Sequence, residues 1–206
     1  LEKNTGTTYS RNLALKNMNG GYVCIMDSDV EVLPGSFGQL LNTLNKNDKA
    51  GIVVPRLNYP DGRLQKSTDV FPTVLNKAFR YFFLKIIEKK DDALSVLEGV
   101  WPVDYAISAM WVMKRELLNT IGLLDENIFY APEDVDYCLR TWKAGYSILY
   151  NSEVKCIHHS QEISRGLTVN KVTINHIKGL VYYFRKHKYF LRKPDVGMNK
   201  NTQNHF

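Results

Sequence analysis

Short apolar runs alternate with amphipathic segments along most of the chain. Residues 22–26 and 52–54 are continuous apolar runs, the second closed by Pro55, and such runs are typical of strands buried on both faces. Between them, the segment after Pro34 repeats apolar residues at helical spacing and predicts a helix with Pro34 in its first turn. The residues that define this spacing are Phe37, Leu40, Leu41 and Leu44.

The alternation continues in the second half of the chain. An extended stretch is predicted at 103–113, a short helix at 114–121 and a longer helix at 132–144. Two further strands are predicted at 147–150 and 154–157. Because strands and helices alternate, the sequence predicts an α/β domain with three layers (α/β/α) around a mostly parallel sheet.

Composition narrows the class of protein. With 206 residues, 44% hydrophobic and 12% aromatic, the chain suits one globular domain and is too aromatic for a disordered coil. No apolar run approaches the roughly 18 residues needed to cross a bilayer, and the first residues lack the apolar core of a signal peptide. Cys24, Cys138 and Cys156 stand among apolar neighbours and are interpreted as buried thiols. This favours a reducing compartment and a cytoplasmic protein.

The net charge of +6 is concentrated near the C-terminus. Residues 171–193 contain seven Lys or Arg and no Asp or Glu, which leaves 20 basic and 21 acidic residues elsewhere. We therefore expect a folded domain over 1–168, a basic amphipathic helical tail over 169–193 and a disordered end over 194–206. The tail fits either a contact with an anionic membrane surface or a helix packed on the domain. Its expected apolar face consists of Ile177, Leu180, Val181, Phe184 and Leu191.

Two carboxylates follow the first apolar run. Asp27 and Asp29 stand where the strand ends, and ligands of open α/β sheets bind beyond the carboxyl ends of strands. Carboxylates two positions apart can converge there on a divalent cation that carries phosphate oxygens. The alternative is an ordinary polar loop. A phosphatase of the haloacid-dehalogenase type is disfavoured, because Val30 and Glu31 stand where that family has Gly and Thr.

Acidic residues also begin the helix predicted at 132–144. Glu133 and Asp134 in a first turn complement the helix dipole, which is the common role of such residues. The aromatic pair Phe129 and Tyr130 precedes them and could form a substrate wall. A carboxylate at Asp134 could then act as a general base toward a hydroxyl group.

Two adjacent histidines end the last predicted strand. If the strand continues through His158 and His159, their side chains point to opposite faces, and only one can reach a metal beside the carboxylates. Imidazole together with carboxylates suits Mn²⁺ or Mg²⁺ bound with phosphate oxygens.

The order and spacing of these motifs resemble family 2 glycosyltransferases of the GT-A fold, and especially the rhamnosyltransferase-like bacterial branch. The resemblance extends over roughly residues 4–166. The stretches that carry it are residues 4–12, 20–29, 122–140 and 154–158.

This resemblance implies a reaction and a set of site residues. The reaction is an inverting, metal-dependent transfer of a sugar from a nucleotide-diphosphate donor to an acceptor hydroxyl, in cell-surface polysaccharide or glycolipid synthesis. The implied metal is Mn²⁺ or Mg²⁺, and the implied acceptor is a saccharide or a lipid-linked sugar, with docking at the inner face of the cell membrane. The implied metal ligands are Asp27, Asp29 and His158, the catalytic base is Asp134, and the substrate-binding residues are Arg11, Asn12, Trp101, Asp104 and Glu133.

Two departures from the family pattern accompany the resemblance. Ser108 stands where the family often has Gly. Domains of the family usually begin with further strands and a nucleoside-binding acidic residue, so the resemblance implies an N-terminally incomplete catalytic domain. An inactive fragment or binding module that uses the basic tail for a partner or nucleic acid is the alternative from another class, and a metal-dependent phosphohydrolase is the alternative enzyme.

Overall fold

The structure is a computed structural model that describes residues 4–76, 98–160 and 171–197. Its helices are α1 (Thr7–Lys16), α2 (Ser36–Lys46), α3 (Arg115–Ile121), α4 (Glu133–Lys143) and α5 (Lys171–His187). Its strands are β1 (Tyr22–Met26), β2 (Val30–Val32), β3 (Ala50–Asn58), β4 (Thr68–Asp69), β5 (Val100–Pro102), β6 (Tyr105–Ala106), β7 (Met110–Lys114) and β8 (Ser147–His158).

The central sheet is mixed. Its strand order is β1-β7-β3-β8-β2, with β5 also paired to β8, and β4 and β6 form a separate two-stranded sheet. Only β3 and β8 pair in parallel among the described strands. The expectation of a mostly parallel sheet is therefore wrong in this detail, because β7 inserts antiparallel between β1 and β3. The α/β class is confirmed.

Helices cover both faces of this sheet, so the three-layer arrangement is also confirmed. On one face, Leu40 and Leu44 of α2 pack against alternate sheet residues such as Val53. On the other face, α1, α3, α4 and α5 share one apolar cluster with the sheet. Trp111 and Tyr137 lie at its centre, fully buried and stacked with ring centroids 5.7 Å apart.

Strand β1 differs from the expectation of burial on both faces. Val23 and Ile25 point into the core, whereas Tyr22, Cys24 and Met26 on the other face of the strand are exposed. The interpretation of all three cysteines as buried thiols is therefore wrong for Cys24. Cys138 and Cys156 are buried, and all three cysteines are free.

Several predicted boundaries shift for local reasons. Strand β3 continues past Pro55, because a register irregularity between Pro55 and Arg56 accommodates a residue with no N–H. The two strands predicted at 147–150 and 154–157 are the single strand β8. The stretch 103–113 splits into β6 and β7. Helix α2 begins at Ser36, so Pro34 precedes it.

Helix α5 packs on the domain with a face that matches the predicted one only in part. Tyr183 and Phe184 are buried in the main cluster and Leu180 is half-buried, whereas Ile177 and Val181 are exposed. Residues 198–206 of the expected disordered end lie outside the described residues. No helix in the described ranges is both long enough and apolar enough to cross a bilayer.

Candidate functional site

The turn after β1 presents two carboxylates at one edge of the sheet. The Asp27 N–H donates to the Ala109 carbonyl over 2.8 Å, and the Val30 N–H donates to the Asp27 carbonyl over 3.2 Å. These bonds fix a tight turn between β1 and β2, with Asp27 half-buried and Asp29 exposed. Both acidic side chains are thereby held beside the end of β1.

Pairing of β2 with β8 brings a histidine to the same turn. Val30 lies opposite His158 in the antiparallel register, and the His159 N–H donates to the Asp29 carbonyl over 2.9 Å. The His158 Nε2 atom is 3.3 Å from Asp29 Oδ1. Potential ligand atoms of Asp27, Asp29 and His158 all lie within 4.8 Å of one another. The three side chains that the resemblance implies as metal ligands therefore converge at one place, and their binding of a metal stays a prediction.

The adjacent histidines point to different sides of β8. His158 is buried, and its Nδ1 atom is 2.7 Å from the Oε1 atom of the buried Gln65. In the tautomer that donates from Nδ1 to Gln65, Nε2 is an acceptor that faces the carboxylates. His159 is exposed beside Glu31 at 3.1 Å. Sequence reasoning did not find Gln65, because nothing in its local pattern marks it.

The three side chains fit a hard divalent cation. Two carboxylates and one neutral imidazole are a donor set for Mn²⁺ or Mg²⁺. The ligand atoms of Asp27, Asp29 and His158 lie within 4.8 Å of one another, close enough for the three residues to hold one such ion. A partner that orients the far nitrogen of a ligating histidine, as Gln65 does, is usual at metal sites.

Arg11 connects this cluster to the start of α4. Its Nη2 atom donates to Asp27 Oδ1 over 2.6 Å, and its Nη1 atom contacts Glu133 Oε1 at 3.3 Å and Ser108 Oγ at 2.6 Å. Arg11 is half-buried on α1. The expected substrate-binding residue is therefore committed to carboxylates on both sides of the crevice.

Glu133 and Asp134 occupy different environments. Glu133 is buried, and this burial raises the pKa of its carboxyl to about 8, with the neighbouring Asp134 adding to the shift and Arg11 opposing it. Asp134 is half-buried, and its Oδ1 atom accepts the Val135 N–H over 2.7 Å. Of the two, Asp134 is the more accessible to a molecule entering from solvent.

Tyr130 lies close to both halves of the site. Burial raises the pKa of its hydroxyl, and the negative charges of Glu133, Asp27 and Asp134 raise it further. Its side chain nevertheless stays 43% exposed. The arrangement supports the expectation of an aromatic wall beside the carboxylates.

Asn12 supports the neighbouring loop. Asn12 is fully buried. Its Nδ2 atom donates to the Leu124 carbonyl and to Glu126 Oε1, both over 2.9 Å. Its Oδ1 atom accepts a hydrogen bond from the Leu124 N–H over 3.0 Å. These bonds occupy the amide and fix the loop that precedes α4. A direct contact with the nucleotide diphosphate stays a prediction.

Asp104 and Trp101, two of the expected substrate-binding residues, make hydrogen bonds within the protein. The buried Asp104 carboxylate accepts the Phe71 N–H over 2.8 Å and pairs with Lys193 at 2.6 Å. Burial raises the pKa of Asp104 despite these contacts. The Trp101 indole N–H on β5 donates to the Glu98 carbonyl over 2.8 Å. Their role in binding an acceptor stays a prediction.

A buried charge cluster secures α5 against α4 behind the site. Asp136 pairs through Oδ1 with Lys186 at 2.6 Å and with His187 Nε2 at 2.8 Å, and through Oδ2 with Arg140 at 2.9 Å. Lys186 also reaches Asp125 at 2.7 Å. The Asp136–Arg140 pair joins residues four positions apart on one helix, whereas the contribution of α5 depends on tertiary packing.

Comparison with known proteins places this geometry in a family. The family model described as Glycosyl transferase family 2 matches residues 1–122, more than half of the chain. The chain is 23% identical over 180 residues to N-acetylglucosaminyl-diphospho-decaprenol L-rhamnosyltransferase of Mycobacterium tuberculosis, covering 84% of this chain and 58% of that protein. The chain thus spans less than two thirds of the length of this curated relative.

Two solved structures share the fold. The mannosyltransferase PcManGT from Pyrobaculum calidifontis, in complex with GDP-Man and Mn²⁺, aligns with a TM-score of 0.54 and 21% identity, over 93% of this chain and 46% of that one. GalNAc-T7 with UDP, GalNAc and Mn²⁺ aligns with a TM-score of 0.60 and 14% identity, over 91% of this chain and 36% of that one.

The family match, the mixed sheet between helical layers and the carboxylate turn after β1 lead to one conclusion. The expected resemblance is confirmed: the chain belongs to glycosyltransferase family 2 and has the GT-A fold.

Proposed function

We propose that the protein catalyses an inverting, metal-dependent transfer of a sugar from a nucleotide-diphosphate donor to an acceptor hydroxyl. The observation that carries the proposal is the cluster of Asp27, Asp29 and His158, whose ligand atoms lie within 4.8 Å of one another beside the start of α4. Within the proposal, residues 1–168 belong to the catalytic domain and 169–193 form a basic helical element of the same protein.

The donor binds at the carboxylate side of the crevice. Asp27, Asp29 and His158 would hold Mn²⁺ or Mg²⁺, and a divalent cation bound there supplies Lewis-acid neutralisation of the leaving diphosphate. The relatives of known structure contain Mn²⁺ with GDP-Man or with UDP and GalNAc. Arg11 lies next to the same carboxylates and adds a fixed positive charge for the phosphate groups.

The acceptor binds at the α4 side. Asp134 is half-buried at the first turn of α4, where its carboxylate can remove the proton from an acceptor hydroxyl as the oxygen attacks the anomeric carbon. Attack on the face opposite the leaving diphosphate gives inversion in one step, without a covalent sugar–enzyme bond. Glu133 shapes the acceptor side, and Tyr130 offers an aromatic face to a sugar ring.

The acceptor class follows from similarity and from charge. The M. tuberculosis relative is named for transfer of L-rhamnose to a lipid-linked N-acetylglucosamine, so a rhamnosyl or hexosyl transfer to a lipid-linked acceptor in cell-surface glycan synthesis is the finer part of the proposal. Such an acceptor requires the enzyme to work at a membrane surface. The protein is accordingly proposed to be cytoplasmic and peripheral at the inner face of the membrane.

The outer face of α5 supports this location. Three apolar side chains on it are exposed, and three basic side chains stand beside them. An apolar stripe flanked by Lys and Arg suits the interface of an anionic bilayer. The apolar set is Ile174, Ile177 and Val181, and the basic set is Lys178 and Arg185 of the helix and Lys188, which directly follows its last residue.

A transfer assay with the full-length gene product tests the proposal. The protein is incubated with Mn²⁺, a panel of nucleotide-diphosphate sugars and a lipid-linked saccharide, and the anomeric configuration of the product is read by NMR. We expect inversion, loss of transfer with a chelator, and loss of transfer but not of donor binding in Asp134→Asn, because an amide cannot accept the proton. His159→Ala is the control for His158→Ala, since only His158 faces the carboxylates. Retention of configuration, or full activity of Asp134→Asn, would contradict the mechanism.

A further inference from the structure

A serine hydroxyl lies at the junction between the two halves of the site. Ser108 Oγ accepts a hydrogen bond from Arg11 Nη1 over 2.6 Å and donates one to Glu133 Oε1 over 3.0 Å. Its side chain is nearly enclosed, with 6% of the residue exposed. One hydroxyl therefore connects the guanidinium that holds Asp27 to the carboxyl group that begins α4.

The backbone around Ser108 ties the same two halves together. Ser108 lies in the turn between β6 and β7, and its own carbonyl accepts a second bond from Arg11, through Nη2 over 3.2 Å. The next residue, Ala109, accepts the Asp27 N–H over 2.8 Å. A movement of this turn would shift both the metal-side carboxylate and the partner of Glu133.

Neither Gly nor Ala can reproduce this hydroxyl. Only a group that accepts from Arg11 and donates to Glu133 at once satisfies both neighbours in a buried space. Without it, Glu133 keeps the Arg11 contact at 3.3 Å, which is long for a charge-assisted hydrogen bond. The carboxyl group then gains freedom to rotate next to Asp134.

We propose that Ser108 is a positioning residue for acceptor transfer, which fixes the Glu133 carboxyl group through its hydroxyl and so defines where the acceptor hydroxyl meets Asp134. This proposal rests on the transferase function proposed above. It assigns to this chain a specific contact at a position where the family often has Gly.

The test compares Ser108→Ala, Ser108→Thr and Ser152→Ala in the full-length gene product. Ser152 is the matched control, because it is also 6% exposed and its hydroxyl also makes two hydrogen bonds, in its case with the backbone of Gly99. We expect Ser108→Ala to lower kcat by about tenfold and to raise the acceptor KM. The donor dissociation constant is expected to stay unchanged, and Ser108→Thr is expected to restore kcat because it keeps the hydroxyl.

The outcomes separate this proposal from the proposed function. Wild-type kcat in Ser108→Ala, an equal loss in Ser152→Ala, or no recovery in Ser108→Thr would overturn the role of Ser108 and leave the transferase function intact. Absence of any sugar transfer by the wild-type protein would overturn the proposed function itself, and the role of Ser108 with it. Urea unfolding of each variant shows whether a loss of kcat comes from a loss of folded protein.

Discussion

Gly179 of α5 packs directly against the carbonyl oxygen of Ala131, with no room for a Cβ atom between them. Ala131 lies two residues before Glu133, so this contact sets the distance between α5 and the start of α4. The helix at the C-terminal end of the described chain thereby supports the candidate catalytic residues from behind.

Gly179→Ala is expected to destabilise the protein. In an exposed helix interior the same change stabilises by about 1 kcal/mol, because Ala has the higher helix propensity. Gly38→Ala provides that reference, since Gly38 lies exposed in α2 with open space around its Cβ direction. Urea midpoints are expected to fall for Gly179→Ala and to rise for Gly38→Ala. A higher urea midpoint in both variants would show that the backbone around Ala131 accommodates the added Cβ atom without loss of stability.

Gln65→Ala is expected to weaken Mn²⁺ binding by about 10–100-fold, the usual effect of losing a partner that orients a metal ligand. The physical reason is the 2.7 Å contact between Gln65 Oε1 and His158 Nδ1, which holds Nε2 toward Asp29. Electron paramagnetic resonance of free Mn²⁺ during titration measures the affinity. Gln39→Ala, at an exposed position of α2, serves as control, and equal affinities for the two variants would contradict the orienting role.

Acid is expected to weaken the α4–α5 junction. Burial alone raises the pKa of Asp136, but the hydrogen bond from His187 and the charges of Arg140 and Lys186 outweigh it and hold that pKa below its usual range. A carboxyl group whose pKa is lowered on folding stabilises the protein above its unfolded pKa, about 3.9, and this contribution is lost as the pH falls through the folded value. Urea midpoints should therefore fall below about pH 4.

Removal of the Asp136 carboxyl group is expected to cost about 3–5 kcal/mol at neutral pH, because the cations that it pairs with stay behind in a buried cluster. Asp136→Ala should accordingly show a low urea midpoint at pH 7 and a smaller further loss in acid than the wild type. Asp48→Asn, in the exposed turn before β3, is the control. An acid response of Asp136→Ala equal to that of the wild type would assign the acid sensitivity to other groups.

Membrane binding is expected to depend on the outer face of α5. Reversal of Lys178, Arg185 and Lys188 to Glu should release the full-length gene product from anionic vesicles at low salt, since each basic residue near such a surface contributes about 1 kcal/mol. Lys186 is left unchanged because it pairs with Asp136 and Asp125. Binding of the wild type should weaken with salt, which screens exposed charges beyond about 8 Å.

A second triple reversal controls for net charge in the same co-sedimentation assay. Lys46, Lys49 and Lys155 are exposed on other elements, and changing them to Glu alters the charge of the protein by the same amount. We expect this variant to stay bound to anionic vesicles. Equal release of both triple variants would indicate a general charge effect, and continued binding of the α5 variant would reject the docking face.

Local pattern predicted the elements well where one face is apolar and the ends are marked. Strand β1 was expected over the five residues that it occupies, and α4 was expected within one residue at each end. Predicted boundaries were wrong where strand pairing overrides local signals. At Pro55, for example, β3 continues because its register with β8 shifts between Pro55 and Arg56. The prediction that β1 is buried on both faces was wrong, because the burial of a strand depends on what lies over each face. The sequence of the strand itself does not contain this information.

The sequence predicted the carboxylates and the histidine of the candidate site, but not the hydrogen bonds and ion pairs that join them to other residues. Asp27 and Asp29 follow β1, His158 is the last residue of β8, and all three belong to a motif pattern that can be read along the chain. The contact of Arg11 with Glu133 joins residues 122 positions apart. Such contacts depend on where the tertiary fold places α1 and α4, so sequence spacing could not indicate them.

Cys24 gives the chain its own attachment point for a spectroscopic reporter. It is exposed on the outer face of β1, three residues before Asp27, whereas Cys138 and Cys156 are buried. Partial burial of its thiol raises the pKa of Cys24 to about 11, so a thiol-directed spin or fluorescent label would attach at this one position at alkaline pH, where the thiolate forms. Paramagnetic Mn²⁺ at the neighbouring carboxylates would broaden or quench that signal, so occupancy of the site could be followed in solution even without a sugar donor.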